Sequence, residues 1–172
     1  MSKPTTALSF HSEFKPARVI ELPRTPVGFR PHDVFASGQG IEDCIEVDDN
    51  FRRWFIDEYT RGSVWAGDRT VGSVNLTKQW KSGDLGRFIA GKHGEIEFVD
   101  VIQLILCGMK DPDTFFCTYY TNVFLMYERT KVLCLVTVRI ISGRMYLGAR
   151  DTVFVNDLVP GTRLFFRLSE LH

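Results

Sequence analysis

The one stretch of this chain whose spacing matches a named chemical motif is Gly86-Arg87-Phe88-Ile89-Ala90-Gly91-Lys92-His93. It has the G-x-x-x-x-G-K spacing of a phosphate-binding loop, in which backbone N–H groups cradle phosphate and the lysine reaches the outer oxygens. Such a loop needs a buried strand before it, a helix after it and a hydroxyl to hold magnesium. Here residues 77–84 are polar, His93 stands where the hydroxyl belongs, and Gly94 weakens helix initiation. The stretch therefore reads as a basic, glycine-spaced loop. Arg87, Lys92 and His93 remain candidates to meet an anion without catalysing anything.

The surrounding zone widens that candidate. Between Arg61 and Lys92 lie Arg61, Arg69, Lys78, Lys81, Arg87 and Lys92 against Asp68 and Asp84, a local net of +4, together with Trp65 and Trp80. Arginine and exposed aromatics grip phosphates and stack bases. The set Arg61, Trp65, Arg69, Lys78, Trp80, Lys81, Arg87, Lys92 and His93 is thus the candidate site for single-stranded nucleic acid or a small phosphorylated ligand. The competing reading is a hairpin with solvated charges and core tryptophans.

Other chemistries find no support. His11, His32, His93 and His172 have no metal-ligand spacing with each other or with Cys44, Cys107, Cys117 and Cys134. No C-x-x-C and no G-x-S-x-G elbow occurs. The paired acids Asp48-Asp49 and Glu95/Glu97 read as solvated caps. No catalytic residue, metal or cofactor is predicted, and an enzyme survives only as a site without a linear motif.

Lys plus Arg and Asp plus Glu both number 21, so nothing global attracts nucleic acid or an anionic membrane. The charge is polarised instead. Ile41–Thr60 carries seven acids against Arg52 and Arg53, a net of −5, while Glu128–Arg167 carries a net of +4. These regions could pair head to tail between copies, or pack together within one molecule. Single cysteines and the lack of a signal-peptide pattern favour a reducing, intracellular and cytoplasmic setting, and no apolar run suits a membrane span.

The elements that would position such residues read as mostly β. Residues 1–40 hold five of the seven prolines and form an extended arm, within which Ala17–Leu22 can be an edge strand; residues 41–172 make a single domain. Asp48, Asp49 and Asn50 offer N-caps for a short amphipathic helix near 50–61 with Phe51, Trp54, Phe55 and Tyr59 on one face. Residues 95–107 are ambiguous: Glu97, Asp100 and Gln103 form a helical polar stripe, yet five β-branched residues tilt the reading to strand. The aromatic stretch 114–141 supplies the sheet's interior, with Tyr119, Tyr120 and Tyr127 reaching the surface. Val132–Ile141 is apolar on both parities until Thr137 and Arg139, where its end should emerge, and Arg163–Leu168 alternates with Leu164, Phe166 and Leu168 inward.

Strands at this spacing predict a mainly β fold, a sandwich or barrel-like antiparallel sheet, with α+β as the alternative if 95–107 is helical. The function expected is a non-enzymatic binding or assembly module acting through protein–protein contacts, partnered by itself as a homo-oligomer or by another protein. Nucleic-acid or phosphorylated-ligand binding stands second.

Overall fold

The structure, a computed structural model, describes residues 16–35, 44–57, 69–91, 94–128, 130–153 and 157–168. Among these residues seven strands run β1 (Arg18–Leu22), β2 (Ile45–Val47), β3 (Arg69–Asn75), β4 (Asn122–Tyr127), β5 (Leu133–Ile141), β6 (Arg144–Asp151) and β7 (Arg163–Arg167). Between them lie α1 (Asp49–Phe51), continued by a π-helical turn over Arg52–Ile56, then α2 (Ser82–Ala90), α3 (Phe98–Lys110) and α4 (Pro112–Phe115). The strands form one sheet in the order β1-β3-β7-β4-β5-β6-β2, antiparallel except for the β2–β6 and β4–β7 pairs. The described residues thus make neither a sandwich nor a barrel. They make the α+β alternative, a mixed sheet with helices against both faces.

The two faces carry separate cores. On one, Ile20, Val71, Phe124, Val136, Leu147 and Phe165 pack under α3, α1 and a 3-10 turn at Pro31–Phe35. On the other, Val123, Leu125, Leu135, Leu164 and Phe166 pack under Leu85 and Ile89 of α2. β7 therefore has neighbouring Leu164, Phe165 and Phe166 all fully buried, where the simple alternation read from sequence put only one parity inward. β5 is apolar on both faces up to Val136, as its composition predicts, and Thr137 and Arg139 mark where cover ends.

The strand reading of 95–107 is overturned. Phe98–Lys110 is a helix opened by a capping box, in which the Glu97 side chain accepts from the Asp100 backbone and Asp100 accepts from the Glu97 N–H. Four β-branched residues cost this helix about 2 kcal/mol against alanine. Burial of Phe98, Ile102, Leu104 and Ile105 stabilises it by about 1.5–3 kcal/mol each, so packing outweighs propensity. Asp100 is itself 1 % exposed. Burial pushes its carboxyl above the ordinary range, although the Arg69 guanidinium at 3.1 Å opposes that shift.

The loop reading of Gly86–His93 also fails over its described part, because Ser82–Ala90 is α2 with Gly91 as its C-cap; Lys92 and His93 lie outside the described residues. Glycines hid the helix. A Cβ at Gly86 would lie 3.1 Å from Leu133 Cδ2, so the glycine lets this helix sit close on β5. The phosphate-loop spacing is thereby explained away: Gly86 lies inside a helix that ends at Gly91, the reverse of a loop that opens a helix. The helix near 50–61 forms as expected over Asp49–Ile56, with the Asp48 carboxylate accepting from the Phe51 N–H at 2.7 Å; residues 58–61 lie outside the described set. Among the described residues no helix is long and apolar enough to cross a membrane.

Candidate functional site

α2 roofs only part of its face of the sheet. Past Leu135 the residues of β5 on that face are Thr137 and Arg139, and the register sets Thr137 opposite Gly148 and Arg139 opposite Tyr146 on β6. On the far side of β6, Glu46 of β2 lies opposite Tyr146. Asp48 continues β2's line, held by its N–H on Leu147 O at 2.9 Å. Three strands thus lay out one row of Arg139, Tyr146 and Glu46 and a second of Thr137, Gly148 and Asp48. Arg150 stands two residues beyond Gly148 on the same parity. Gly148 lies between the rows with the Asp48 carboxylate and the Thr137 hydroxyl close over it, and the rows line a concavity of about 270 Å³.

The charges of this face pair locally. Arg144 meets Glu46 at 3.0 Å and Arg150 meets Asp48 at 3.2 Å, with all four side chains substantially exposed. Within the described residues, acids of the 41–60 region and arginines of the 128–167 region thus meet inside one molecule where β2 and β6 run as parallel neighbours. Exposed pairs of this kind contribute about 0–1 kcal/mol each and exchange readily. Arg139 is exposed and has no ion-pair partner among the described residues. Thr137 Oγ1 donates to Gly148 O at 3.5 Å, at the limit of a hydrogen bond, and so is available to a better acceptor.

Of the residues picked out by composition, Arg61, Trp65, Lys92 and His93 lie outside the described residues. None of the others lines this concavity or the second one beside Trp54. Arg69 is engaged with Glu97 at 2.8 Å and with Asp100. Burial would lower its pKa, but the hydrogen bond to Glu97 and both carboxylate charges outweigh that and raise it. Lys78 and Trp80 do come together, the ammonium 4.7 Å from the ring centroid. Trp80 is packed on Phe88 and bridges by its backbone to Leu158, so its ring belongs to the smaller core. Lys81 precedes α2 at the N-cap, and Arg87 lies exposed on α2 beside Asp84. Sequence reasoning missed Glu46, Asp48, Tyr146, Gly148 and Arg150. Its one usable signal was the polar break at Thr137 and Arg139.

A second concavity, of about 370 Å³, opens between the π-helical turn and the β4–β5 connection, with Trp54, Glu128 and Asp151 around the buried Cys134. Burial, reinforced by the charges of Glu128 and Asp151, pushes the Cys134 thiol up to about 12. The thiol stays neutral throughout the physiological range, and only the thiolate is nucleophilic. Iodoacetamide at pH 8 is expected to label the exposed Cys44 and to leave Cys134 unmodified until denaturant is added. Peptide mass mapping after timed quenching reads this directly, and Cys134 labelled as fast as Cys44 would contradict the burial.

No protein-family model, no curated protein and no solved structure matches this chain, so the geometry of the open face carries the functional reading.

Proposed function

We propose that this chain is a non-enzymatic binding module whose working surface is the open face of β5, β6 and β2, and whose ligand is anionic. Arg139 carries the reading. Both acids of the face already stand against arginines of their own, which leaves one exposed guanidinium at the rim of a concavity that also offers the Thr137 hydroxyl and the Tyr146 side chain. Charge-assisted hydrogen bonds from arginine to an oxyanion are roughly twice as strong as neutral ones.

The test is a titration of isotope-labelled protein, followed by backbone amide shifts, with pyrophosphate and separately with a mixed-sequence single-stranded oligonucleotide. Saturable movement of the Thr137, Arg139 and Gly148 amides is expected with at least one probe. It should weaken at high salt and be largely lost in Arg139→Gln. If neither probe moves those amides at low salt, the reading is wrong.

Self-association is the second reading, supported by Tyr119, Tyr120 and Val159, which are 92 %, 51 % and 53 % exposed on adjoining loops where the Tyr120 ring covers Gly161. Tyrosine is enriched where protein surfaces meet. Light scattering behind a sizing column decides it: a monomer at high concentration in both low and high salt removes this reading.

A further inference from the structure

We infer that the concavity between the π-helical turn and the β4–β5 connection is a seat for a primary ammonium group on an apolar chain, held between Glu128 and Asp151.

The strand register brings the two carboxylates to one place. Asp151 is the direct partner of Cys134 across β5 and β6, and Met126 is the partner of Cys134 on β4. Facing side chains at such positions have Cβ atoms about 4.5–5.5 Å apart. Glu128, two residues beyond Met126 on the same parity, donates its N–H to Val132 O at 3.0 Å, and Cys134 Sγ meets that same carbonyl at 3.6 Å. Burial is the larger cause of the raised Cys134 pKa, and the charges of Glu128 and Asp151 add to it, so both fields reach the one sulfur.

A cation at this spot meets two negative charges. Glu46, Asp48, Glu97 and Asp100 each stand against an arginine, whereas neither Glu128 nor Asp151 has an ion-pair partner among the described residues. Their existing contacts are neutral: Glu128 accepts from the Thr130 hydroxyl, and Asp151 accepts from the Val153 N–H at 2.9 Å. Each carboxylate keeps acceptor capacity for a charged N–H donor.

The other walls fit an organic cation better than a bare ion. Asp57 N–H bonds to Arg52 O at 2.9 Å, the i to i+5 step that makes the turn π-helical, and Arg53 and Trp54 of that turn both border the cavity. Such turns are rare and recur at functional sites. Trp54 is half-buried against the larger core, and Val132 adds an exposed apolar wall. A space of about 370 Å³ admits a short alkyl chain. A metal ion needs several close oxygen ligands, and among the described residues no three His, Cys, Asp or Glu side chains stand near enough to hold one. Arg53 is the one cation of the lining, and it is exposed, where solvent weakens its repulsion.

Pentylammonium, titrated at low salt into isotope-labelled protein, is expected to move the Glu128, Val132, Cys134 and Asp151 amides saturably. Pentanol, which lacks the charge, and methylammonium, which lacks the chain, should each bind at least about fivefold more weakly. Glu128→Gln and Asp151→Asn keep the neutral contacts and should each weaken pentylammonium about two- to fivefold, the scale of one part-exposed ion pair. Arg139→Gln should leave it unchanged, so this seat is tested separately from the anion face. If a lysine in a peptide frame, acetyl-lysine methylamide, binds as well as pentylammonium, the seat takes a partner protein's lysine; if it binds more weakly, the seat takes a small free amine. Pentanol matching pentylammonium, or both carboxylate variants binding as tightly as the parent chain, overturns the inference. So does the lack of any saturable movement at those four amides.

Discussion

Replacing Asn122 by alanine is expected to destabilise the fold by about 3 kcal/mol, although the residue makes no ion pair and contributes little apolar area. Asn122 is fully buried at the start of β4. Its Oδ1 accepts from the Cys117 N–H at 2.7 Å, and its Nδ2 donates to Cys117 O at 2.9 Å and to Val138 O at 3.1 Å. One amide therefore ties the loop after α4 to the sheet and closes the end of the β4–β5 pair. Alanine leaves the Cys117 N–H and C=O without these partners and removes one of the donors to Val138 O, at about 1–3 kcal/mol for each buried group left unpaired and less where water reaches the half-buried Cys117 side. Asn122→Asp should cost at least as much, since it keeps the acceptor, loses both donated bonds and puts a charge in the interior. Urea unfolding with an unchanged m-value is the measurement. A loss below about 1 kcal/mol in both variants would show that the clamp is not structural.

Phe165→Ala is expected to cost more, about 3–5 kcal/mol, a large part of the 5–15 kcal/mol that holds a typical domain together. Phe165 is fully buried at the centre of β7 and stacks on Phe124 with centroids 4.7 Å apart, while Phe116 meets it edge-on at 6.0 Å. Removing the middle ring leaves a cavity bordered by two rigid aromatics, which cannot collapse to fill it. Val19→Ala on the edge strand β1 is the contrast, since Val19 is 55 % exposed and its loss should stay within about 0.5 kcal/mol. Thermal and urea unfolding of the two variants side by side should separate them clearly, and equal effects would mean that the ring cluster is not the core's centre.

The parts of the fold that were legible in the sequence are those decided locally. Asp48 before a Phe51/Phe55 pair announces α1, because capping and i, i+4 spacing act within one turn. The double-parity apolar run of β5 announces cover on both faces. α3 was misread because its β-branched residues favour a strand by local preference, and only the surrounding sheet makes burial on nearly every side of a helix profitable. α2 was missed because Gly83 and Gly86 look like loop residues until the close approach to Leu133 is seen. The candidate site was the least legible feature. Its rows join Glu46 and Asp48 to Tyr146, Gly148 and Arg150 across about 100 residues of sequence, and they exist only once the register of β2 on β6 is set. Composition directed attention to the basic zone between Arg61 and Lys92, where Arg69 is engaged with Glu97 and Asp100 and the Trp80 ring packs on Phe88 in the smaller core.

The position of β7 has a consequence for how this chain reaches its structure. β7 is the last in sequence of the described strands, yet it sits between β3 and β4, antiparallel to the first and parallel to the second. Until it is in place, the sheet is two separate pieces, β1-β3 and β4-β5-β6-β2, each with an unpaired inner edge. During synthesis, therefore, the whole chain through Arg167 must be outside the ribosome before either inner edge is closed. Non-local pairing of this kind slows folding, and the exposed edges are templates for wrong partners in the interval. The fold is completed like an arch by its keystone, and the interval before β7 docks is when the chain is most exposed to aggregation.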